Sequence, residues 1–328
     1  MRTQYLALVV IVVALAGACS TPAPSPAAST VAPSRAARPT ATATVEVALP
    51  AIANVGSPAF SRGRNGALAV WLLDDFANVL YEADPDSGVL LGAYGVGFTG
   101  DGSFIAMADD YVWVGSQTNN TLARLVKQDG TVEGLLQLPC PLSAAATADA
   151  VWILDCKGTV HGFDAKSLQP RGTVQPWYSG GGLEILAGRV WVSGSLIGGP
   201  VTLLRSFDPS TPVLSEAALS EVLRVAGSQD YLSTAAGSLF LSDTKSGQIT
   251  RVDPATATVA GVYSEPVGSY VVQNATSVPW IFNYKSGDLA PLDLGSGHAG
   301  AGINVSPHVG PVIAGVAVWF GATRMALP

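Results

Sequence analysis

The sequence predicts an all-β fold, a seven-bladed β-propeller of four-stranded antiparallel blades with its ring closed by an N-terminal strand. Two ladders of residues and the composition carry this expectation. In the first ladder an aromatic residue follows a smaller one at Val70-Trp71, Val112-Trp113, Val151-Trp152, Val190-Trp191, Leu239-Phe240, Pro279-Trp280 and Val318-Trp319, at intervals of 42, 39, 39, 49, 40 and 39. A fixed period of this size marks an architecture built from stacked supersecondary units. In the second, Asp84, Asp164, Asp208, Asp253 and Asp293 follow their aromatics by 13, 12, 17, 13 and 13 residues, and repeat 2 uses Asp129-Gly130 instead. Gly 36 and Pro 22 in 328 residues punctuate the chain too often for a helical bundle, and no long window shows helical periodicity.

The elements follow in chain order. Arg2 is the only charge before an apolar run over residues 5–15, which is too short to span a bilayer and fits a signal-peptide core. Ala16-Gly17-Ala18-Cys19 comes next. It resembles the lipobox of bacterial lipoproteins, in which the cysteine at the cleavage point is lipidated. The resemblance implies a signal peptide over 1–18, a lipid such as palmitate on Cys19, and an extracytoplasmic chain held at the cell membrane or envelope. An ordinary A-x-A secretory site would be cut at the same bond. Residues 20–43 hold five Pro, eight Ala, four Ser and four Thr, with no acidic or aromatic residue. Such a segment cannot bury enough apolar surface to offset ordering, so 19–43 reads as a disordered tether. Residues 44–328 read as the propeller domain.

One repeat shows the blade. Residues 103–108 form a first strand, 111–116 a second that carries Trp113, 122–126 a third and 132–138 a fourth. The Asp-Pro clusters at Asp84-Pro85-Asp86-Ser87-Gly88, Asp208-Pro209-Ser210-Thr211 and Asp253-Pro254-Ala255-Thr256 read as tight turns. The 49-residue repeat has room for an excursion, and 215–225 is the one helical candidate. After Trp319 only nine residues remain, enough for a third strand but not a fourth. Thr44-Val45-Glu46-Val47-Ala48-Leu49-Pro50 is similar to the fourth strand of repeat 2, so residues 44–50 are expected to complete blade 7 and cover an open sheet edge.

Of the three cysteines, Cys19 takes the lipid, which leaves Cys140 and Cys156 as a pair in an oxidising compartment, with two free buried thiols as the alternative. Cys140 ends the fourth strand of blade 2 and Cys156 the second strand of blade 3. Alternate connections of a meander share a face, so both cysteines fall at one end of blade 3.

The spacing, the D-P-x-[ST] turns and the V-W strands resemble the bacterial YVTN and streptogramin-lyase-like propellers over residues 44–328. That resemblance implies architecture more than activity. Streptogramin lyases pair two His in adjacent blades with a downstream Glu. Here Glu265 stands for the first His, His308 matches the second, and Ala322 stands for the Glu. Glu265 and His308 lie in equivalent connections of adjacent blades, where a His beside a carboxylate can act as a general base; two solvated loop residues is the plainer reading.

The remaining chemistry is sparse. Charged residues make up 12% of the chain, against about 25% in a typical soluble protein. The net charge is −7 with no basic block, which argues against a nucleic-acid partner. No H-x-x-x-H pair, G-x-S-x-G elbow or Walker loop appears, and no cofactor or metal is implied. Asp74-Asp75 and Asp109-Asp110 read as solvated turns. The aromatic ladder, being common to all blades, is assigned to packing between sheets. Ligands are expected on the face carrying the second-to-third and fourth-to-first connections. There Asn119, Asn120, Trp177, Tyr178, Tyr284 and Arg324 are the candidates. Trp177 is the one Trp off the ladder, and Trp177-Tyr178 either anchors a ligand or caps blade 4. The expectation is a monomeric, non-catalytic binding or scaffold lipoprotein with a protein, peptide or glycan ligand. The alternative is a lyase-like or hydrolytic enzyme.

Overall fold

The computed structural model describes residues 45–48, 59–63, 65–74, 77–98, 104–175, 179–195, 201–227, 229–274, 276–305, 310–314, 316–320 and 323–327. They form seven antiparallel sheets. The N-terminal strand β1 (Val45–Ala48) stands apart in sequence from its sheet. Blade 1 is β2 (Ala59–Arg62), β3 (Leu68–Asp74), β4 (Val79–Ala83) and β5 (Leu90–Gly95). Blade 2 is β6 (Phe104–Met107), β7 (Tyr111–Ser116), β8 (Thr121–Val126) and β9 (Val132–Gln137). Blade 3 is β10 (Pro141–Ala146), β11 (Ala150–Asp155), β12 (Val160–Asp164) and β13 (Pro170–Val174). Blade 4 is β14 (Ser179–Leu186), β15 (Arg189–Ser195), β16 (Val201–Phe207) and β17 (Ser220–Ala226), and blade 5 is β18 (Tyr231–Ala235), β19 (Ser238–Asp243), β20 (Gln248–Asp253) and β21 (Thr258–Ser264). Blade 6 is β22 (Ser269–Val272), β23 (Trp280–Asn283) and β24 (Asp288–Asp293), with its outer strand split into β25 (His298–Ala299) and β26 (Ile303–Asn304). Blade 7 is β27 (Pro311–Ala314), β28 (Ala317–Phe320) and β29 (Thr323–Ala326), and β1 pairs antiparallel with β29 as its fourth strand. The first and last described strands thus share one sheet.

The second strand of each blade lies between two neighbouring sheets, so both of its faces are covered. Its sequence is therefore an apolar run rather than an alternation, as in Ala150-Val151-Trp152-Ile153-Leu154, where every residue is buried. The outer strand β9 alternates half-buried and exposed instead. The anchor aromatics fill the gaps between sheets. Trp71 packs with Val112 and Val114 of the next blade, Trp113 with Val151 and Ile153, and Trp152 with Val190 and Val192. Trp191 meets Leu239 and Leu241, Phe240 meets Ile281, and Trp280 and Phe282 meet Ile313 and Val318. Trp319 of blade 7 packs on Val70 and Leu72 of blade 1, which completes the circle. Large aromatic rings remove roughly 150–250 Å² each from water, so these contacts dominate the core.

Two interfaces carry a further clasp. Arg124 lies across the sheet from Trp113, and its guanidinium donates to the carbonyls of Ala165 and Lys166 in the next blade's outer turn, both at 2.6 Å. Arg324 lies across from Trp319, and its Nε donates to Pro85 O at 2.8 Å. Trp319 Nε1 donates to the same carbonyl at 3.3 Å.

The second ladder caps turns. Asp84 Oδ1 accepts from the backbone N–H of Asp86 and Ser87 and from Ser87 Oγ. Asp164, Asp208, Asp253 and Asp293 bond their turns in the same way. The N–H and hydroxyl of Ser87 hold the Asp84 carboxyl below its ordinary range, so the charged form supports the turn. Asp74 likewise caps its own turn, accepting from Ala77 N at 2.8 Å.

The excursion departs from expectation. Residues 215–225 contain only a single 3-10 turn, Glu216–Ala218, and then enter β17. Pairing with β16 outweighs the helix-favouring composition. Leu214 is buried and its N–H donates to Arg171 O at 2.6 Å, which docks the excursion on β13.

Cys140 and Cys156 form a disulfide with Cα atoms 5.6 Å apart, at the end of blade 3 that carries the connection into β10 and the β11–β12 turn. Replacing both by Ser should lower unfolding free energy by about 2–4 kcal/mol, as loop-closure entropy predicts for a 16-residue separation, measured by urea denaturation. Deleting residues 44–50 should cause aggregation or a clear fall in Tm, while deleting 20–39 should leave Tm unchanged. Equal Tm for both deletions would show that blade 7 closes without β1.

Candidate functional site

Inner strands run from the face that carries the second-to-third and fourth-to-first connections, here the upper face, to the face that carries the other turns. Each face holds one candidate surface.

The upper face gathers aromatics from blades 5 and 6. Tyr231, at the start of β18, stacks on Tyr270 of β22 with ring centroids 4.5 Å apart and planes 8° apart. Phe282, across the sheet from Tyr270, meets that ring edge-on with centroids 5.7 Å apart. Tyr231 is 45% exposed and Tyr284 40% exposed. Burial raises the Tyr231 hydroxyl above its ordinary range, with Asp230 and Tyr284 adding to the shift. Asp230 accepts from Thr244 Oγ1 at 2.8 Å and faces Lys245 Nζ at 3.7 Å, so a charged rim flanks the aromatic pair.

The sequence candidates are distributed as follows. Tyr284 sits in the β23–β24 turn beside Tyr231. Asn119 and Asn120 sit in the β7–β8 turn. Asn120 is committed to structure, since its Oδ1 accepts from Cys140 N at 2.7 Å and its carbonyl from Leu138 N at 2.7 Å. Asn119 N donates to Ser116 Oγ at 3.2 Å. Arg324 departs from its expected place on the upper face. It is 4% exposed between blades 7 and 1, held by Pro85. Glu265 occupies the connection from β21 to β22, where its N–H donates to Gly247 O at 2.9 Å. A Cβ at Gly247 would collide with the Glu265 carbonyl, and Gly247 has φ +78, so this approach requires glycine. Cys19, Trp177, Tyr178 and His308 lie outside the described residues.

The second surface is the central channel. A cavity of about 470 Å³ lies between the inner strands of blades 1 to 5, with Gln273 and Asn274 from blade 6. Its lining clusters at the level of the anchor aromatics, towards the lower face. Among the described residues Glu184 is its one ionisable lining residue. Burial pushes the Glu184 carboxyl up to about 8, opposed by the hydroxyl of Thr234, whose Oγ1 lies 3.4 Å from Oε2. Behind the far wall, Lys127 Nζ donates to Ser61 Oγ at 2.9 Å. Burial lowers that amine's pKa, while Asp109, Asp110 and Glu82 oppose the shift. Among the described residues no group of three or more His, Cys, Asp or Glu could hold a metal ion.

Glu184 and Tyr231 were not candidates from the sequence, although each left a signal. Glu184 lies across the sheet from Trp191. The matching positions hold Ala59, Ala106, Ala145, Ser233, Val272 and Val312. A carboxyl among small and apolar residues is the signal, visible once the register is known. Tyr231 and Tyr270 are tyrosines 39 residues apart off the anchor ladder.

The fold and these surfaces define a seven-bladed β-propeller. No known protein-family model matches the chain, and no curated protein matches it by sequence. Solved structures do match. Virginiamycin B lyase from Staphylococcus aureus, crystallised in a catalytically inactive form with quinupristin, superposes with TM-score 0.65 at 12% identity, covering 86% of this chain and 98% of that one. BamB from Moraxella catarrhalis gives 0.54 at 13%, covering 87% and 100%. Hydrazine synthase from Kuenenia stuttgartiensis gives 0.63 at 9%, covering 84% and 97%. At such identities the likeness is one of fold.

If Glu184 keeps its proton when folded, the folded chain binds more protons than the unfolded chain between the ordinary value of 4.5 and about 8. Stability then declines as pH rises through that window. Glu184→Gln should remove this component of the decline, seen as a flatter Tm-against-pH profile than wild type. Parallel profiles would refute the shift.

Proposed function

We propose that the protein is an exported, lipid-anchored propeller that binds a protein, peptide or glycan partner on its upper face without catalysing a reaction. The observation that carries the binding reading is exposed Tyr231, stacked on the ring of Tyr270, with exposed Tyr284 on the adjacent turn of blade 6. Rigid aromatics with a polar tip, held by packing from behind, lose little conformational entropy on contact and are typical recognition anchors. The Cys140–Cys156 bond supports an oxidising, extracytoplasmic compartment. The Ala16-Gly17-Ala18-Cys19 sequence and the Pro/Ala/Ser/Thr tether over 20–43 support attachment to a membrane. Closed interfaces between blades make the body a rigid platform, and the tether gives it reach.

Two experiments test the two halves of this reading. Cys19→Ser should release the protein from the membrane fraction or block its processing, and a mature form with an unmodified N-terminal Cys would leave simple secretion. On peptide and glycan arrays the mature chain should bind at least one ligand class. Tyr231→Ala with Tyr284→Ala should weaken that binding at least about tenfold, a loss of about 1.4 kcal/mol. Unchanged binding by the double variant would remove the upper face from the account.

A further inference from the structure

We propose that the channel cavity is a binding site for a small organic ammonium ion with an apolar body, and that Glu184 is its charge partner. The site lies at the opposite end of the inner strands from the tyrosine surface and is independent of it.

Size and lining suit such a ligand. About 470 Å³ falls within the roughly 300–1,000 Å³ of ordinary small-molecule pockets. Ile105 and Met107 supply apolar wall, and Phe60 and Phe104 supply aromatic rings. Ser61, Ser143, Gln273 and Asn274 add neutral polar groups that an ammonium can also meet. A cation near a desolvated ring gains cation–π attraction in addition to its ion pair.

The carboxyl is surplus to the fold. Six blades place Ala, Ser or Val where blade 4 places Glu184, across the sheet from the anchor aromatic. Packing therefore does not require a carboxyl there, and Glu184 is half-buried at the cavity wall, where a charge without a close partner is costly. Its partner in the protein is Thr234 Oγ1 at 3.4 Å, a long contact. Among the described residues, the strands packed around it bring no cation to it. β10 contains no charged residue. On β15, Arg189 donates its Nε to Ser206 Oγ at 2.9 Å. On β18 the titratable group is Tyr231, at the upper end of that strand. Lys127 approaches only through Ser61 on the far wall.

Ligand charge follows from this arrangement. Among the described residues the lining offers an anion no cationic side chain, and a metal ion would meet one carboxylate rather than a cluster. An ammonium supplies the missing charge, forming charge-assisted hydrogen bonds to the carboxylate while Thr234 Oγ1 remains available as an acceptor. Desolvation at the cavity wall already disfavours the ionised carboxyl before an ammonium pairs with it. Binding an ammonium then transfers the Glu184 proton to solvent and leaves a neutral pair.

Titration calorimetry of the full mature chain with benzylammonium, near neutral pH and in two buffers of different protonation enthalpy, tests this. The expected result is one site, with proton release on binding. Benzyl alcohol, the neutral analogue, should bind at least about tenfold more weakly. Glu184→Gln preserves shape and should weaken benzylammonium by a similar factor and abolish proton release. Equal affinity for the alcohol, unchanged binding by the variant, or no binding of benzylammonium would overturn the proposal. In crystals soaked with 4-bromobenzylammonium, the anomalous bromine peak should lie in the channel with the ammonium beside Glu184. A peak elsewhere would also overturn it.

Discussion

The pairing of β1 with β29 is the constraint on which the rest of the molecule depends. Val45 lies opposite Met325 and Ala48 opposite Thr323, so the beginning and end of the domain become neighbouring strands of one sheet. Each aromatic anchor faces the next blade, and such an arrangement is satisfied everywhere only on a closed circle. Trp319 finds Val70 and Leu72 because blade 7 stands beside blade 1. The hydrogen bonds of Arg324 and Trp319 to Pro85 cross the same junction. An open chain of blades would expose the apolar faces at that junction and the edge of β29. Such long-range pairing also implies that closure waits until the final strand is made.

Closure determines where function can reside. The second strands are enclosed on both faces, which leaves the connections and the inner strands as places for variation. On the upper face the turns are held by side chains such as Asp155, Asp243 and Asn283, each accepting backbone N–H groups from its own turn. Such turns present Tyr284 without using its side chain. In the channel, the register that places a small or apolar residue opposite each anchor admits one carboxyl, Glu184.

Much of this was legible in the sequence because it is local or periodic. The aromatic ladder, the Asp turns and the seven blades repeat at a fixed spacing. The closing strand was legible by its similarity to residues 131–139. The disulfide was legible because a meander puts alternate connections on one face. Arg324 was misplaced because only two residues separate β28 from β29. It lies five residues after its anchor, whereas Arg124 lies eleven after Trp113. Both arginines nevertheless sit across from their anchors. The helical expectation at 215–225 failed because Glu, Ala and Leu favour a helix locally while pairing with β16 decides the outcome. Glu184 needed the strand register, and Tyr231 needed the contact between two blades, neither of which composition or spacing carries.

Native-state hydrogen exchange on the terminal strands tests the central claim of ring closure most directly. Closure predicts that amides bonded between residues 45–48 and β29 exchange with opening free energies close to those of β28, because they open with the same sheet. Exchange of 45–48 at the rate of a free peptide, with β28 still protected, would contradict it.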